Sequence, residues 1–349
     1  MNLTVPSASS RIAPCACHEL LSWASMIYRT LGRTGLEVSL IGYGAWGVGG
    51  NQWRGHSEDE AYAALRLALE SGVNLIDTAL AYNDGHSEQI VGKVAKDAES
   101  KVYIATKVPP KNRIWPARAE FAIEDVFPYD YIIESTEQSL CNLGAECIDL
   151  QQLHVWNDAW VDRDEWRRAA VDLRRAGKIR HFGISVSDHD PSTVLQACRT
   201  GLIDTVQVIY NIYDQSPEAE LFPLCQELNI GVLARCPFDE GSLTGKITPE
   251  TEFDPAEFRA MYFRGERKRE VYDRANALET ALEAGGVDEA LPETALRFCV
   301  AHPAVSTVIP GMRQRRNVEQ NLGTLAKGRL TDDARQLLKA HAWTKNFYQ

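Results

Sequence analysis

The sequence has no long apolar run, no metal-type spacing of cysteines and no excess of positive charge. No segment approaches the roughly 18 apolar residues of a membrane-spanning helix, so no membrane partner is expected. Its eight cysteines form no pair of Cys-x-x-Cys units, and no His-x₃₋₅-His partner lies near a cysteine pair. This argues against zinc, and we predict no bound metal. Scattered cysteines favour reduced thiols in a cytoplasmic protein.

The balance of charge is acidic, with 37 basic and 48 acidic residues and a formal net charge of −11. Such an average surface repels a polyanion, so nucleic acid is not an expected partner. A local basic cluster, Arg313, Arg315 and Arg316, stands against this background. With 349 residues, 44% of them hydrophobic, the chain can bury a large core. Nothing in these properties indicates an oligomeric state.

Short apolar runs alternate with amphipathic helical stretches along most of the chain. A β-hairpin is predicted over residues 28–41, and Ser57 with Glu60 forms a capping box before the first helix. Strands are predicted to begin near Ser39, Asn74, Val102, Ile148, Ile179, Thr205, Gly231 and Val305. Two glutamines interrupt the fourth of these strands. Eight strands alternating with helices predict an α/β fold, a parallel (β/α)₈ TIM barrel, with a doubly wound open sheet as the rival.

The amino-terminal segment differs from the rest of the chain. Residues 1–25 lack the charged region and the long apolar region of a signal peptide. Met26 then begins a stretch that resembles a natural protein start. We therefore predict residues 1–25 to be a leader, disordered or misassigned, and residues 26–349 to form a single barrel domain.

One glycine pattern, residues 42–47, matches Gly-x-Gly-x-x-Gly directly after an apolar run. A dinucleotide fingerprint needs a helix to open there, with its amino terminus on the pyrophosphate. Here the chain continues as a glycine-rich, loop-like stretch to Gly55. A substrate-facing loop with Trp46 and Trp53, or simply a flexible one, is favoured over a Rossmann dehydrogenase.

Four residues able to carry chemistry close predicted strands or follow them: Asp77, Tyr82, Lys107 and His154. In a parallel barrel, the carboxyl ends of the strands form the catalytic face. Each residue alone has a structural explanation, as a turn residue, a packed ring, a solvated cation or a satisfied histidine. Together, charged groups at the ends of successive buried strands indicate a site, because an unpaired buried charge costs several kcal/mol.

The sequence resembles the aldo-keto reductase superfamily from Tyr28 to about Leu325. The motifs that carry the resemblance occur in order along the chain, at residues 42–46, 74–88, 105–107, 153–154, 183–185, 207–211, 241–246 and 309–313. The family implies the barrel, a nicotinamide cofactor bound without a Rossmann domain, and an Asp-Tyr-Lys-His tetrad. Asp77, Tyr82, Lys107 and His154 match that tetrad position by position.

The resemblance implies NAD(P)H-dependent reduction of a carbonyl, with Tyr82 donating a proton to the substrate oxygen. A free tyrosine has a pKa near 10, and a neighbouring Lys107 ammonium is expected to lower it. Asp77 is expected to hold Lys107 in place and keep it charged, and His154 to orient the carbonyl. A cofactor-sensing regulatory barrel with weak turnover is the alternative.

The resemblance also implies cofactor contacts: Ser185 and Gln207 on the carboxamide, Tyr210 on the ring face, and Arg313 beside the adenosine. Further contacts are expected from Gly241, Ser242 and Leu243 along the pyrophosphate, and from Gly311, Asn317, Gln320 and Asn321 at the adenosine end. Several relatives carry other residues where Asn317 and Gln320 stand. Arginines at a helix start suit a 2′-phosphate, so NADPH is favoured over NAD(H). A solvated helix start is the alternative for Arg315 and Arg316.

Aromatic residues are the predicted walls of the substrate pocket: Trp46, Trp53, Trp156 and Phe238. They favour an aldehyde, a ketone or a sugar carbonyl as a small-molecule substrate. The long connection over residues 108–129, which contains Trp115, is a further candidate for substrate recognition.

Overall fold

The computed structural model describes residues 26–50, 55, 57–186, 188–343 and 345–348. The predicted leader and Trp53 lie outside these ranges. Within them the strands are β1 Tyr28–Thr30, β2 Glu37–Ser39, β3 Tyr43–Gly44, β4 Leu75–Asp77, β5 Tyr103–Val108, β6 Ile148–Leu153, β7 Ile179–Ser185, β8 Thr205–Ile209, β9 Gly231–Arg235 and β10 Val305–Val308.

The α-helices of the described residues follow these strands and cover the outside of the sheet. They are α1 Glu58–Glu70, α2 His86–Lys96, α3 Ile123–Val126, α4 Tyr129–Leu143, α5 Asp164–Arg175, α6 Leu195–Arg199, α7 Leu221–Glu227, α8 Phe258–Tyr262, α9 Arg267–Ala284, α10 Leu291–Ala301, α11 Arg315–Gly323 and α12 Asp332–Lys339. None of them has the length and apolar character needed to cross a membrane.

Strands β3 to β10 form one parallel sheet in chain order. Parallel bridges from Ile41 to Val308 and from Gly44 to Gly311 join its first and last edges. The predicted (β/α)₈ barrel is therefore confirmed, and closure of the sheet excludes the open-sheet rival.

The predicted amino-terminal hairpin is also confirmed, since β1 and β2 pair antiparallel with Tyr28 opposite Ser39. The prediction that a barrel strand begins near Ser39 was wrong. Ser39 ends the hairpin, and its carbonyl oxygen accepts a hydrogen bond from the Thr307 hydroxyl at 2.8 Å. Parallel pairing with the barrel begins just after it, at the Ile41–Val308 bridge, and the first barrel strand itself is Tyr43–Gly44.

The interior of the barrel changes from apolar to polar along the strands. Its apolar part is a cluster of Leu75, Tyr103, Ala105, Leu150 and Leu233, closed off by Leu31 and Val38 of the hairpin region. The next inward-facing residues are Asp77, Lys107, Gln152 and Gln207, which we call the inner polar layer. Side chains on a strand alternate between faces, so residues two positions apart share the interior. The carboxyl ends of the strands therefore carry polar side chains, and the core below them is apolar.

Helix α1 begins as the capping pattern predicts. The Ser57 hydroxyl oxygen accepts a hydrogen bond from the Glu60 backbone N–H at 3.3 Å. The apolar face of the helix is buried through Ala61, Ala64, Leu65 and Ala68. The side chain of Glu60 reaches the start of α11, where its carboxylate accepts a hydrogen bond from the Arg315 backbone N–H.

Candidate active site

The structure brings the four predicted catalytic residues together at the carboxyl end of the barrel. The Lys107 ammonium donates to Asp77 Oδ2 at 2.7 Å and to the Thr78 carbonyl oxygen at 2.7 Å. It is 3.4 Å from the Tyr82 hydroxyl. The Tyr82 and His154 rings meet edge to face, with centroids 5.7 Å apart. We call these four residues the tetrad.

The inner polar layer holds the Asp77 carboxylate from its other side. Gln207 Nε2 donates to Asp77 Oδ1 at 2.7 Å, and Gln152 Nε2 donates to the same oxygen at 3.3 Å. Lys107 and Asp77 are both buried. Because a buried ion pair is tolerable only when its remaining hydrogen-bonding capacity is satisfied, this contact explains one of the two glutamines that interrupt β6, Gln152. The side-chain amide of the other, Gln151, is buried without a hydrogen-bond partner among the described residues.

Burial has the largest effect on the pKa values of Tyr82, Lys107 and His154. Burial raises the pKa of Tyr82 well above its ordinary value, and the Asp77 carboxylate adds to that effect. The expectation of a lowered phenol pKa is not met, because the effect of burial is the largest one on this group. Burial lowers the pKa of Lys107 although Asp77 opposes this.

His154 is held as a neutral imidazole. Burial lowers its pKa well below the ordinary histidine value, and the charges of Lys107 and Arg235 act in the same direction. Within the described part of the chain, its buried Nδ1 atom has no hydrogen-bond partner. Trp115, from the long connection after β5, packs edge to face against the ring, with centroids 5.9 Å apart. A neutral imidazole can orient a ligand without adding charge.

A cleft of about 320 Å³ opens over the tetrad and extends toward the start of α11. The predicted residues that line it are Trp46, Asp77, Tyr82, Gln207, Phe238, Gly241, Gly311, Arg313 and Asn317. We call this space the cleft. It joins a proton-donating group at one end to an arginine-bearing loop at the other, which suits an elongated ligand.

Two predicted contact residues lie away from the cleft. The Tyr210 ring packs against Phe222 and Phe298, and its hydroxyl donates to Glu218 at 2.7 Å. Tyr210 is one residue out of phase with inward-facing Ile209, so its side chain points to the helices instead. Trp156 is buried against Trp160 and Trp166.

The remaining predicted cofactor residues are not among the residues that line the cleft in the described structure. Ser185 pairs with Gln207 in the sheet and is buried. The Ser242 hydroxyl donates to the Asp239 carbonyl oxygen at 2.8 Å, and Leu243 is fully buried. Gln320 and Asn321 lie on α11.

Sequence reasoning missed two arginines of the cleft, Arg235 and Arg259. Arg235 closes β9, so the rule that singled out Asp77 and Lys107 would also have found it. Arg259 lies on α8, within the long connection between β9 and α9. Within the described ranges, no three His, Cys, Asp or Glu side chains gather in a way that could hold a metal ion.

Comparison with known proteins agrees with this architecture. The chain belongs to the aldo/keto reductase family, whose model matches residues 40–342. It is therefore an NAD(P)H-dependent oxidoreductase, as the members of this family are.

The relatives extend over most of the chain. The sequence is 32% identical over 300 residues to aldo-keto reductase YhdN of Bacillus subtilis (strain 168), covering 84% of this chain and 87% of that protein. It is 28% identical over 305 residues to the NADH-specific methylglyoxal reductase of Escherichia coli (strain K12), covering 84% and 92%. The holo form of aldo-keto reductase AKR11C1 from Bacillus halodurans superposes with a TM-score of 0.72 at 31% identity, covering 91% and 96%.

Proposed function

We propose that this protein reduces the carbonyl group of an aldehyde, ketone or sugar to the alcohol, reversibly, with NADPH as the cofactor. The observation that carries the proposal is the tetrad itself, a phenol within 3.4 Å of an ammonium that a buried carboxylate holds in place. Carbonyl reduction needs a hydride at carbon and a proton at oxygen, and the bound cofactor would supply the hydride.

The residues of the chain would supply the proton and stabilise the charge. Tyr82 keeps its proton because burial raises its pKa, so it is ready to donate when negative charge develops on the substrate oxygen. The Lys107 ammonium then stabilises the phenolate that this transfer leaves. Neutral His154 orients the carbonyl, and Trp46 and Phe238 form walls of the substrate side of the cleft.

The lining of the cleft fits a nicotinamide cofactor. A side chain at Gly311 would meet no heavy atom within 4 Å, so this position leaves open space beside α11. Ser185 and Gln207 would hold the nicotinamide end, and residues 241–243 the pyrophosphate. Gly311, Arg313, Asn317, Gln320 and Asn321 would hold the adenosine end. Arg259 and Arg313 both line the cleft and provide positive charge for phosphates.

An assay of cofactor oxidation tests the proposal, with NADPH and NADH compared against a panel of aldehydes, ketones and sugars. We expect rapid turnover of one substrate class and a lower KM for NADPH than for NADH. Tight cofactor binding without turnover across the panel would contradict carbonyl reduction, and would instead favour the cofactor-sensing alternative.

The pH dependence of reduction should reflect the neutral state of His154. Since the pKa of His154 lies well below its ordinary value of about 6.5, the imidazole stays deprotonated at and above that pH. We therefore expect kcat/KM to show no titration near pH 6.5. The His154→Gln variant should have lower activity but the same profile there. A step near pH 6.5 that this substitution removes would show that His154 titrates in the working range.

Glu60 should weaken the binding of a 2′-phosphate at the start of α11. Its carboxylate accepts a hydrogen bond from the Arg315 backbone N–H at 3.0 Å and lies 3.6 Å from Arg315 Nε. We expect Glu60→Gln to tighten NADPH binding about three- to tenfold at low salt, and to leave NADH binding unchanged, because only NADPH carries the repelled phosphate.

Titration of both cofactors at low and high salt measures this effect. The gain for NADPH should shrink as salt increases, since the site is exposed to solvent. Equal changes for the two cofactors would place the 2′-phosphate away from Glu60.

A further inference from the structure

Arg235 occupies the inward-facing position directly above the inner polar layer. In the sheet register Gln207 lies opposite Leu233, and Ile209 lies opposite Arg235. Residues opposite each other point to the same face, so the Arg235 side chain points into the barrel. It lies closer to the carboxyl ends of the strands than the inner polar layer does. It lines the cleft together with Asp77, Tyr82 and Gln207.

The guanidinium of Arg235 is fixed by neutral partners. Nη2 donates to the Val186 carbonyl oxygen at 3.0 Å, and Nη1 donates to Cys236 Sγ at 3.2 Å. The Tyr348 hydroxyl forms a further hydrogen bond. Burial raises the pKa values of Cys236 and Tyr348 well above their ordinary values, so both partners keep their protons.

Glu240 lines the same cleft and interacts electrostatically with Arg235. It accepts a hydrogen bond from Cys236 Sγ at 3.2 Å, and burial raises the pKa of its carboxyl group, which favours the uncharged form. The Nε atom of Arg235 is buried with no hydrogen-bond partner among the residues that the structure describes. An arginine does not lose its proton in a protein. A fixed positive charge therefore faces the cleft, on the side of the barrel opposite the tetrad strands β4 to β6.

We propose that Arg235 makes the site discriminate between the two oxidation states of the cofactor, favouring the reduced form over the oxidised form. This inference rests on the proposed function, which places the nicotinamide end at Ser185 and Gln207 and the pyrophosphate at residues 241–243. Arg235 ends β9, so it lies between β8, which carries Gln207, and the loop after β9, which carries residues 241–243.

The discrimination follows from the charge balance of the reaction. Reduction moves a hydride from the ring to the carbonyl carbon, and Tyr82 gives its proton to the oxygen. The ring is left with one positive charge, and the Tyr82 phenolate regains its proton from solvent before the next reduction. The phosphates are the same in both forms, so they do not distinguish them. A guanidinium close to the ring repels only the oxidised form, and the effect is strong in a partly buried site. Oxidised cofactor should therefore dissociate more readily after each reduction.

Direct titration of wild-type protein with NADPH and with NADP⁺ tests this inference, read by cofactor fluorescence and by calorimetry. We expect NADP⁺ to bind at least about tenfold more weakly than NADPH. In Arg235→Gln this ratio of dissociation constants should fall about tenfold, whereas Arg235→Lys, which keeps the charge, should retain most of it. Arg313→Gln is the matched control, because loss of a phosphate contact should weaken both forms equally and leave the ratio unchanged.

Several results would overturn the assignment. If the wild-type protein bound NADP⁺ as tightly as NADPH, the assignment would fail. This result needs no variant, so it can be obtained even if Arg235→Gln does not fold. Parallel weakening of both forms in Arg235→Gln would make Arg235 an ordinary cofactor contact. An unchanged ratio with a raised KM only for carboxylate-bearing substrates would assign it to substrate. If neither cofactor form bound to the wild-type protein, the proposed function would fail as well.

Discussion

Replacing Tyr82 with phenylalanine is expected to lower kcat for carbonyl reduction by about 10²–10⁴-fold. The substitution removes the hydroxyl 3.4 Å from Lys107 and keeps the ring that packs edge to face against His154. The cofactor would contact the chain mainly along β8, β9 and α11, so its dissociation constant should change by less than about twofold. Single-turnover kinetics with a good substrate, together with a cofactor titration, measures both quantities.

Tyr213 offers a matched control for this experiment. It is a buried tyrosine outside the residues that line the cleft, and its hydroxyl has no hydrogen-bond partner in the described structure. Tyr213→Phe removes the same atom from the same type of side chain and should leave kcat unchanged. If Tyr82→Phe kept near-normal reduction rates, Tyr82 would not be the proton donor, and another group of the cleft would have to take that role.

The barrel and the tetrad could be predicted from sequence because both depend on one regularity. In a parallel barrel every strand ends at the same face, so charged residues that end separate strands must meet there. This places Asp77, Lys107 and His154 together without any knowledge of distances. The same regularity would have included Arg235, whose position at the end of β9 was overlooked.

Sequence reasoning failed where the direction of a single side chain decides the outcome. Near the end of a strand, a shift of one residue exchanges the interior for the helix side, and Tyr210 is on the helix side. Ser39 likewise belongs to the hairpin rather than to the barrel. Neither side chain direction nor strand start is fixed by the local apolar pattern, because long-range pairing decides both.

The pKa of Tyr82 shows a further limit. A lysine close in the fold predicts a lowered phenol pKa, but burial of the phenol opposes that effect. At Tyr82 burial is the largest cause of the shift, and the Asp77 carboxylate raises the pKa further. The sequence could predict that Tyr82 and Lys107 lie close together. It could not predict whether burial or charge would have the larger effect on the Tyr82 pKa, because that depends on their positions in the fold.

Replacing Asp77 with asparagine is expected to destabilise the fold by about 3–5 kcal/mol, because it leaves the buried Lys107 ammonium without its counter-charge. The double variant Asp77→Asn, Lys107→Met should recover a large part of that loss, since it removes both charges. Denaturant midpoints of the wild type and of the single and double variants at neutral pH measure the difference. A double variant less stable than Asp77→Asn would show that the ion pair is not the source of the loss.

The effect of pH separates a charge effect from a packing effect in the same variants. Burial already lowers the pKa of Lys107, and loss of Asp77 should lower it further. The unfolded chain then binds a proton that the folded chain does not, so the free energy of unfolding rises with pH. We expect the deficit of Asp77→Asn relative to wild type to shrink between pH 7 and pH 9, by at most about 1.4 kcal/mol per pH unit. A deficit independent of pH would mean that the introduced amide disturbs the packing of the inner polar layer instead. The Asp77→Asn, Lys107→Met protein lacks the titrating lysine and should show no such trend.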